Sequence, residues 1–196
     1  DAITEMARAV ARHDREAFID RTAFGLRLVG LLTFPAAFGF LVLARPIIGA
    51  LLQHGQFSPL AADTTGRALA GISLGLIGYS IYLFALRGFY AHQDTRTPFI
   101  INCVQNAINI ALAFVLVQRF DVLGLGVAFA VSYIVSAVAT LYLLRVKVPG
   151  FPATQLLVSL ARILVAAAVM AVIVFLVVKP VGSNHGGGAL AKIAVG

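Results

Sequence analysis

Residues 97–144, TPFIINCVQNAINIALAFVLVQRFDVLGLGVAFAVSYIVSAVATLYLL, decide the fold. Two uncharged apolar runs, 97–118 and 122–144, stand back to back and are parted only by Arg119-Phe120-Asp121. A helix needs about 20 such residues to cross about 30 Å of hydrocarbon. Lipid admits helices or closed barrels, because backbone groups there find no water. Barrel strands would alternate over about ten residues, and these runs are continuous. Each run therefore predicts a helical span, and the three-residue break predicts a tight turn between them.

The same reading extends along the chain. Apolar runs predict further spans at 24–43, with Arg27 near its start, at 68–86, and at 154–178, with Arg162 inside it, and 189–196 turns apolar as the start of another. The fold class is all-α: a polytopic transmembrane helix bundle of about five complete spans plus a truncated sixth. Pro35 predicts a kink or local unwinding in the first span. Arg45-Pro46 should close that span, leaving 47–52 as a short interfacial piece. Ser58-Pro59 reads as the cap and first position of the next helix. Gly71, Gly75 and Gly78 share one face of the second span and predict a close helix approach. Residues 1–22 are polar and charged and read as an amphipathic or connecting segment on the cytoplasmic side. Loop 179–188 is rich in glycine. The chain starts at Asp1 and stops at Gly196 within an apolar run, which suggests a fragment cut at both ends.

Composition agrees. Apolar residues make up 60% of the 196, charged residues only 12%, and the mean hydropathy is +0.96. A soluble domain is about 25% charged, and disorder goes with low hydrophobicity, so both classes are excluded. The net charge of +7 suggests nucleic acid only in a soluble chain. Here it reads as the excess of Lys and Arg in cytoplasmic loops. With the N-terminal segment inside, ten basic residues fall on or near the inner side and five outside. The single Cys103 excludes an intrachain disulfide and reads as an inert core thiol.

Polar groups in spans are expensive and face a bundle interior or a watery cavity. Asn102, Gln105, Asn106 and Asn109 recur at helical spacing on one face. Two readings stay open: hydrogen-bond glue between helices, or the wall of a cavity for a polar substrate. Ser132, Ser136 and Thr140 read as close-packing positions with hydroxyls bonded to backbone. Arg162 lies inside the last span, either snorkelling to the inner face or reaching a phosphate. No carboxylate falls in an uncharged core, so a proton relay of paired acids is not encoded in this half. No HExxH or CxxC spacing exists, and the HGGG of 185–188 reads as a flexible loop. No catalytic residue, metal site or cofactor is expected, and the chain does not read as an enzyme.

The stretch 51–57, LLQHGQF, and the turn 87–98, RGFYAHQDTRTP, resemble the MurJ/MviN family of lipid II flippases. The resemblance rests on Arg87, Phe89, Tyr90, Gln93, Asp94, Thr95, Thr97 and Pro98, and on an Asn-rich helix following the turn. It implies fourteen helices in two six-helix lobes plus a final pair. Residues 23–145 then resemble four helices of the second lobe, and 146–196 the final pair with its second helix truncated. The implied substrate is an undecaprenyl-pyrophosphate-linked peptidoglycan precursor, moved from the cytoplasmic to the outer leaflet of the bacterial plasma membrane. The implied partners are that lipid, the surrounding membrane lipids and the missing N-terminal lobe of the same chain, with no nucleic acid. In the turn, Asp94 and Thr95 are expected to cap the following helix, and Pro98 suits its first turn. The final helices imply an apolar groove for the polyprenyl tail, with Leu156, Leu157, Leu164 and Val165 as its candidates. An exporter of another lipid-linked oligosaccharide and a non-transporting scaffold for cell-wall synthesis are the alternatives.

Overall fold

The computed structural model describes residues 4–6, 10, 14–52 and 59–178. Four long helices account for most of them: α1 (Arg15–Leu52), α2 (Pro59–Ala91), α3 (Arg96–Lys147) and α4 (Ala153–Val178). All four are long and apolar enough to cross a membrane. No strand occurs among the described residues.

A straight α3 of 52 residues would run about 78 Å, more than twice a bilayer core. It folds back instead. Asp121 leaves helical geometry at φ 49°, ψ −133°. A Cβ added at Gly124 would sit 2.4 Å from the Leu116 carbonyl oxygen. Eight residues of straight helix would span about 12 Å. Gln105 also bonds Ser132, 27 positions on. α3 is thus a hairpin with arms 96–120 and 122–147, turning where Arg119-Phe120-Asp121 was expected to turn.

α2 is the central element, packed on both α1 and α3. Its glycines form the expected seam. Gly71 meets Gly126, Gly75 meets Phe129 and Ala130, and Gly78 meets the backbone of Tyr133 and Ile134 in the second arm of α3. A Cβ at Gly71 would lie 2.9 Å from the Gly126 Cα, so the two backbones touch with no side chain between them. α4 packs chiefly on α1 and barely meets α3. Its Leu160 fills the space that the missing Gly30 side chain leaves. The core runs through Leu26 and Phe34 of α1, Tyr82 and Phe89 of α2, Leu141 and Leu144 of α3, and Leu156 of α4.

The first half departs from the sequence reading. α1 is one helix that begins at Arg15, runs through Pro35 and Pro46, and ends at Leu52. Neither a break at Arg45-Pro46 nor a separate 47–52 piece occurs. A proline removes only one helical donor, and in membrane helices neighbouring groups re-satisfy the freed carbonyl. At 38 residues α1 measures about 57 Å and must project beyond the hydrocarbon. Its polar start, 15–22, is therefore helical and belongs to the same rod. Asp14 accepts from the Ala17 amide and caps it. Pro59 does open α2. Ser58, loop 179–188 and the expected sixth span at 189–196 lie outside the described residues. Cys103 is exposed rather than a core thiol.

Charged residues of both signs gather at the two ends of the bundle. One end gathers the start of α1, the α2–α3 turn and the α3–α4 turn. There Phe18 packs edge-on against His92 at 4.7 Å, and the Arg15 guanidinium covers Gly150, whose φ is +88°. The other end carries the tip of the hairpin and an Asp63 that bridges Arg45 (2.8 Å) and Arg67 (2.9 Å).

Candidate functional site

The turn 87–98 is built residue by residue from backbone bonds. The Asp94 amide donates to the Phe89 carbonyl (3.0 Å) and the Gln93 amide to the Tyr90 carbonyl (2.9 Å). These nested bonds form a Schellman motif, which needs a left-handed residue where glycine is usual. Gln93 holds that position at φ 56°. His92 Nδ1 lies 2.8 Å from the Gly88 carbonyl oxygen, which only accepts, so this nitrogen carries the proton.

Asp94 is the hub. Its Oδ1 accepts from the Thr97 amide (3.0 Å) and its Oδ2 from the Thr97 hydroxyl (2.8 Å). Lys147 at the far end of α3 donates to Oδ2 at 2.5 Å. The Lys147 ammonium, then the Thr97 backbone and side-chain donors, hold the Asp94 carboxyl well below the usual carboxylate range. Lys147 Nζ also stands 5.6 Å from the centre of the buried Phe89 ring. Asp94 therefore caps as expected. Thr95 occupies the cap position without a side-chain bond, and only its carbonyl serves, accepting from Phe99. Pro98 is buried in the first turn of α3, where its missing donor would be unused. Arg87 stacks over Phe84 at 5.4 Å, while Tyr90 and Arg96 are exposed.

The amide stripe divides. Gln105 is buried, and its amide donates to Ser132 Oγ at 3.3 Å. Asn109 donates to the same oxygen at 3.2 Å. Ser132 passes its own proton to the Phe129 carbonyl, and Thr140 does the same to the Ser136 carbonyl. This half is glue between the arms of α3, and Gln105 Oε1 remains unbonded. Asn102 and Asn106 are exposed. Asn106 donates to the Asn102 side-chain oxygen (2.8 Å), and Asn102 donates to the Tyr82 hydroxyl (3.4 Å). No residue between 106 and 120 is buried, so among the described residues most of this arm has little cover.

Arg162 is not brought to the stripe. It is exposed on α4, on the side opposite Leu157 and Leu164 by helical phase. Those two leucines line an apolar cleft of about 440 Å³ with Phe38, Ile77, Val131 and Val138. Leu156 is instead buried in the core, and Val165 faces outward. No metal-competent cluster of His, Cys, Asp or Glu occurs among the described residues.

Sequence reasoning missed two features. Lys147 as the partner of Asp94 left no signal at a separation of 53 residues. An aromatic cluster of Tyr79, Tyr82, Phe129 and Tyr133 was legible only as helical spacings, three apart in α2 and four apart in α3.

Apolar membrane-length helices, a backbone-to-backbone glycine seam and a polar but uncharged helix face define a multi-pass helical membrane protein. The family described as Lipid II flippase MurJ matches residues 2–196. A probable lipid II flippase MurJ of Rhizobium meliloti is 31% identical over 90% of this chain and 33% of its own length. One from Vibrio cholerae is 30% identical over 60% of this chain and 22% of its own. The lipid II flippase MurJ of Thermosipho africanus is 28% identical over 66% of this chain. A solved lipid II flippase MurJ in an inward closed conformation superposes with a TM-score of 0.77 at 23% identity, over 100% of this chain and 40% of that one. The chain belongs to the MurJ family, which is a flippase family and not an enzyme family, and it is a multi-pass protein of the bacterial cytoplasmic membrane. It spans a third or less of the curated relatives it matches.

Proposed function

We propose that this chain is the C-terminal part of a flippase that moves lipid II from the cytoplasmic to the outer leaflet by alternating access. One observation carries the reading: exposed amides on a membrane-length helix, in a chain of this family. Exposed to hydrocarbon, Asn102 and Asn106 would each be costly, so they face water or protein. A cavity shared with the missing N-terminal lobe supplies both. Uncharged amides there replace the water stripped from a polar headgroup, and the tail remains in lipid. The cleft beside Leu157 and Leu164 suits that tail. Arg162, on the outer side of α4, suits a lipid phosphate. The divisions 1–22, 23–145 and 146–196 then correspond to a connector, four helices of the lobe and the final pair. The end with Arg87, Arg96, Arg145 and Lys147 faces the cytoplasm. No covalent step is needed. A membrane potential supplies about 2.3 kcal/mol per charge per 100 mV.

The test uses the full-length parent in a strain where it can be depleted and no second flippase operates. Lipid II should become inaccessible to an enzyme that cleaves it only from outside, and should accumulate. Unchanged cleavage would transfer the reading to another lipid-linked oligosaccharide or to a scaffold.

A further inference from the structure

Tyr79, Phe129 and Tyr133 form a contiguous aromatic surface between α2 and the second arm of α3. Tyr79 meets Tyr133 edge-on at 5.0 Å, Phe129 meets Tyr133 at 4.6 Å, and Tyr79 meets Phe129 at 6.3 Å. Gly75 creates the room for it. A Cβ there would lie 2.3 Å from Phe129, so only glycine lets this ring lie across α2. Tyr82 joins the surface to the amides, since its ring is 5.6 Å from Tyr133 and its hydroxyl accepts from Asn102.

The surface has the marks of a binding face rather than of core. Tyr82 is buried, but Tyr79, Phe129 and Tyr133 are only half-buried. A tyrosine hydroxyl in an apolar setting ordinarily finds a partner. Among the described residues neither the Tyr79 nor the Tyr133 hydroxyl has one, and the same holds for the Asn106 side-chain oxygen. The amide chain runs one way, from Asn106 to Asn102 to Tyr82, which leaves that Asn106 oxygen as its free acceptor end.

The chemistry of the occupant follows from what is absent. Along its helix the charged residue nearest any of the three rings is eight positions away, Arg87 from Tyr79 and Asp121 from Phe129, about 12 Å, and Arg96 is six from Asn102. A pyrophosphate would need cations here and a metal ion would need carboxylates. Aromatic faces beside neutral donors and acceptors suit a ring with apolar C–H faces and hydroxyls on its rim.

From this we infer that Tyr79, Phe129 and Tyr133, with the Asn102–Asn106 pair, form a subsite for a neutral sugar ring of the transported lipid. The inference rests on the flippase reading and adds which part of the cargo this lobe holds. Sugar C–H faces stack on the rings, while the rim hydroxyls bond the tyrosine hydroxyls and Asn106.

The full-length protein in detergent is titrated with two probes: undecaprenyl pyrophosphate, and the same carrier bearing a disaccharide without peptide. Wild type is expected to prefer the sugar-bearing probe at least tenfold. Tyr79→Leu and Asn106→Ala should each cut that preference to threefold or less, with bare-carrier binding unchanged. Tyr79→Phe should recover at least half of what Tyr79→Leu loses. A preference intact in both variants overturns the subsite. Equal loss of both probes also overturns it, because the damage is then to the fold or to carrier binding. Absence of any preference in wild type overturns the subsite alone, whereas failure to bind either probe refutes the flippase reading itself.

Discussion

The seam between α2 and the second arm of α3 makes a sharp prediction at Gly78. An added Cβ would lie 2.6 Å from the Ile134 amide nitrogen, 2.8 Å from the Tyr133 carbonyl carbon and 2.9 Å from the Ile134 Cα. All three are backbone atoms and cannot rotate away. Restoring ordinary contact near 3.5 Å parts the helices by about 0.9 Å, within the 0.5–1 Å gap that forfeits a quarter to a half of the dispersion well. The Gly71–Gly126 contact loosens with it. Overpacking of this kind costs about 1–3 kcal/mol. Removing a glycine from a helix returns about 0.5–1 kcal/mol, so Gly78→Ala should destabilise by up to about 2.5 kcal/mol. Gly39→Ala is the control. No atom lies within 4 Å of its added Cβ, so only the propensity gain applies and the variant should be stabilised. Thermal unfolding of the full-length protein in detergent, followed by loss of the monodisperse peak, compares them. A Gly78→Ala variant as stable as Gly39→Ala would refute the reasoning, because the backbones would then not touch.

Four other outcomes are expected. Asp94→Ala should cost about 2 kcal/mol, from a lost cap and a partly exposed ion pair, and should impair function more than Asp121→Asn at the exposed hairpin tip; a complementation assay giving equal tolerance would contradict the hub. Because the Asp94 carboxyl is depressed on folding, its stabilisation should be complete above about pH 4 and lost as pH falls toward the folded value; an Asp94→Asn variant should show a flatter stability profile below pH 4. Gln105→Met should be neutral or stabilising in thermal unfolding, since it removes an unbonded buried oxygen worth about 1–3 kcal/mol, and Ser132 keeps Asn109. A cysteine at 106, in a Cys103→Ala background, should react with a small hydrophilic thiol reagent in the full-length protein; complete protection in every state would make the exposed amide pair helix glue as well.

Much of this protein was legible without coordinates. Composition and continuous apolar runs determined a helical membrane bundle, because lipid leaves the backbone no other way to satisfy itself over such lengths. The glycines of α2 announced their seam, since three small residues on one face have few uses other than close approach. The turn 87–98 announced the family, and Asp94 its own capping role. Tertiary structure decided what depends on the partner. The spacing of Asn102, Gln105, Asn106 and Asn109 could not say which amides meet Ser132 and which stay open, because one helical face is wide enough to serve two neighbours. Pro46 looked like the end of a span but is carried within α1, whose continuity depends on what surrounds it. Asp94 and Lys147 are joined only because the α3 hairpin returns its far end to the turn, and Gly75 became the seat of an aromatic surface only when Phe129 folded onto it. Periodicity records how a residue faces its own helix axis, whereas contacts across helices depend on register and approach, which only the packed chain sets.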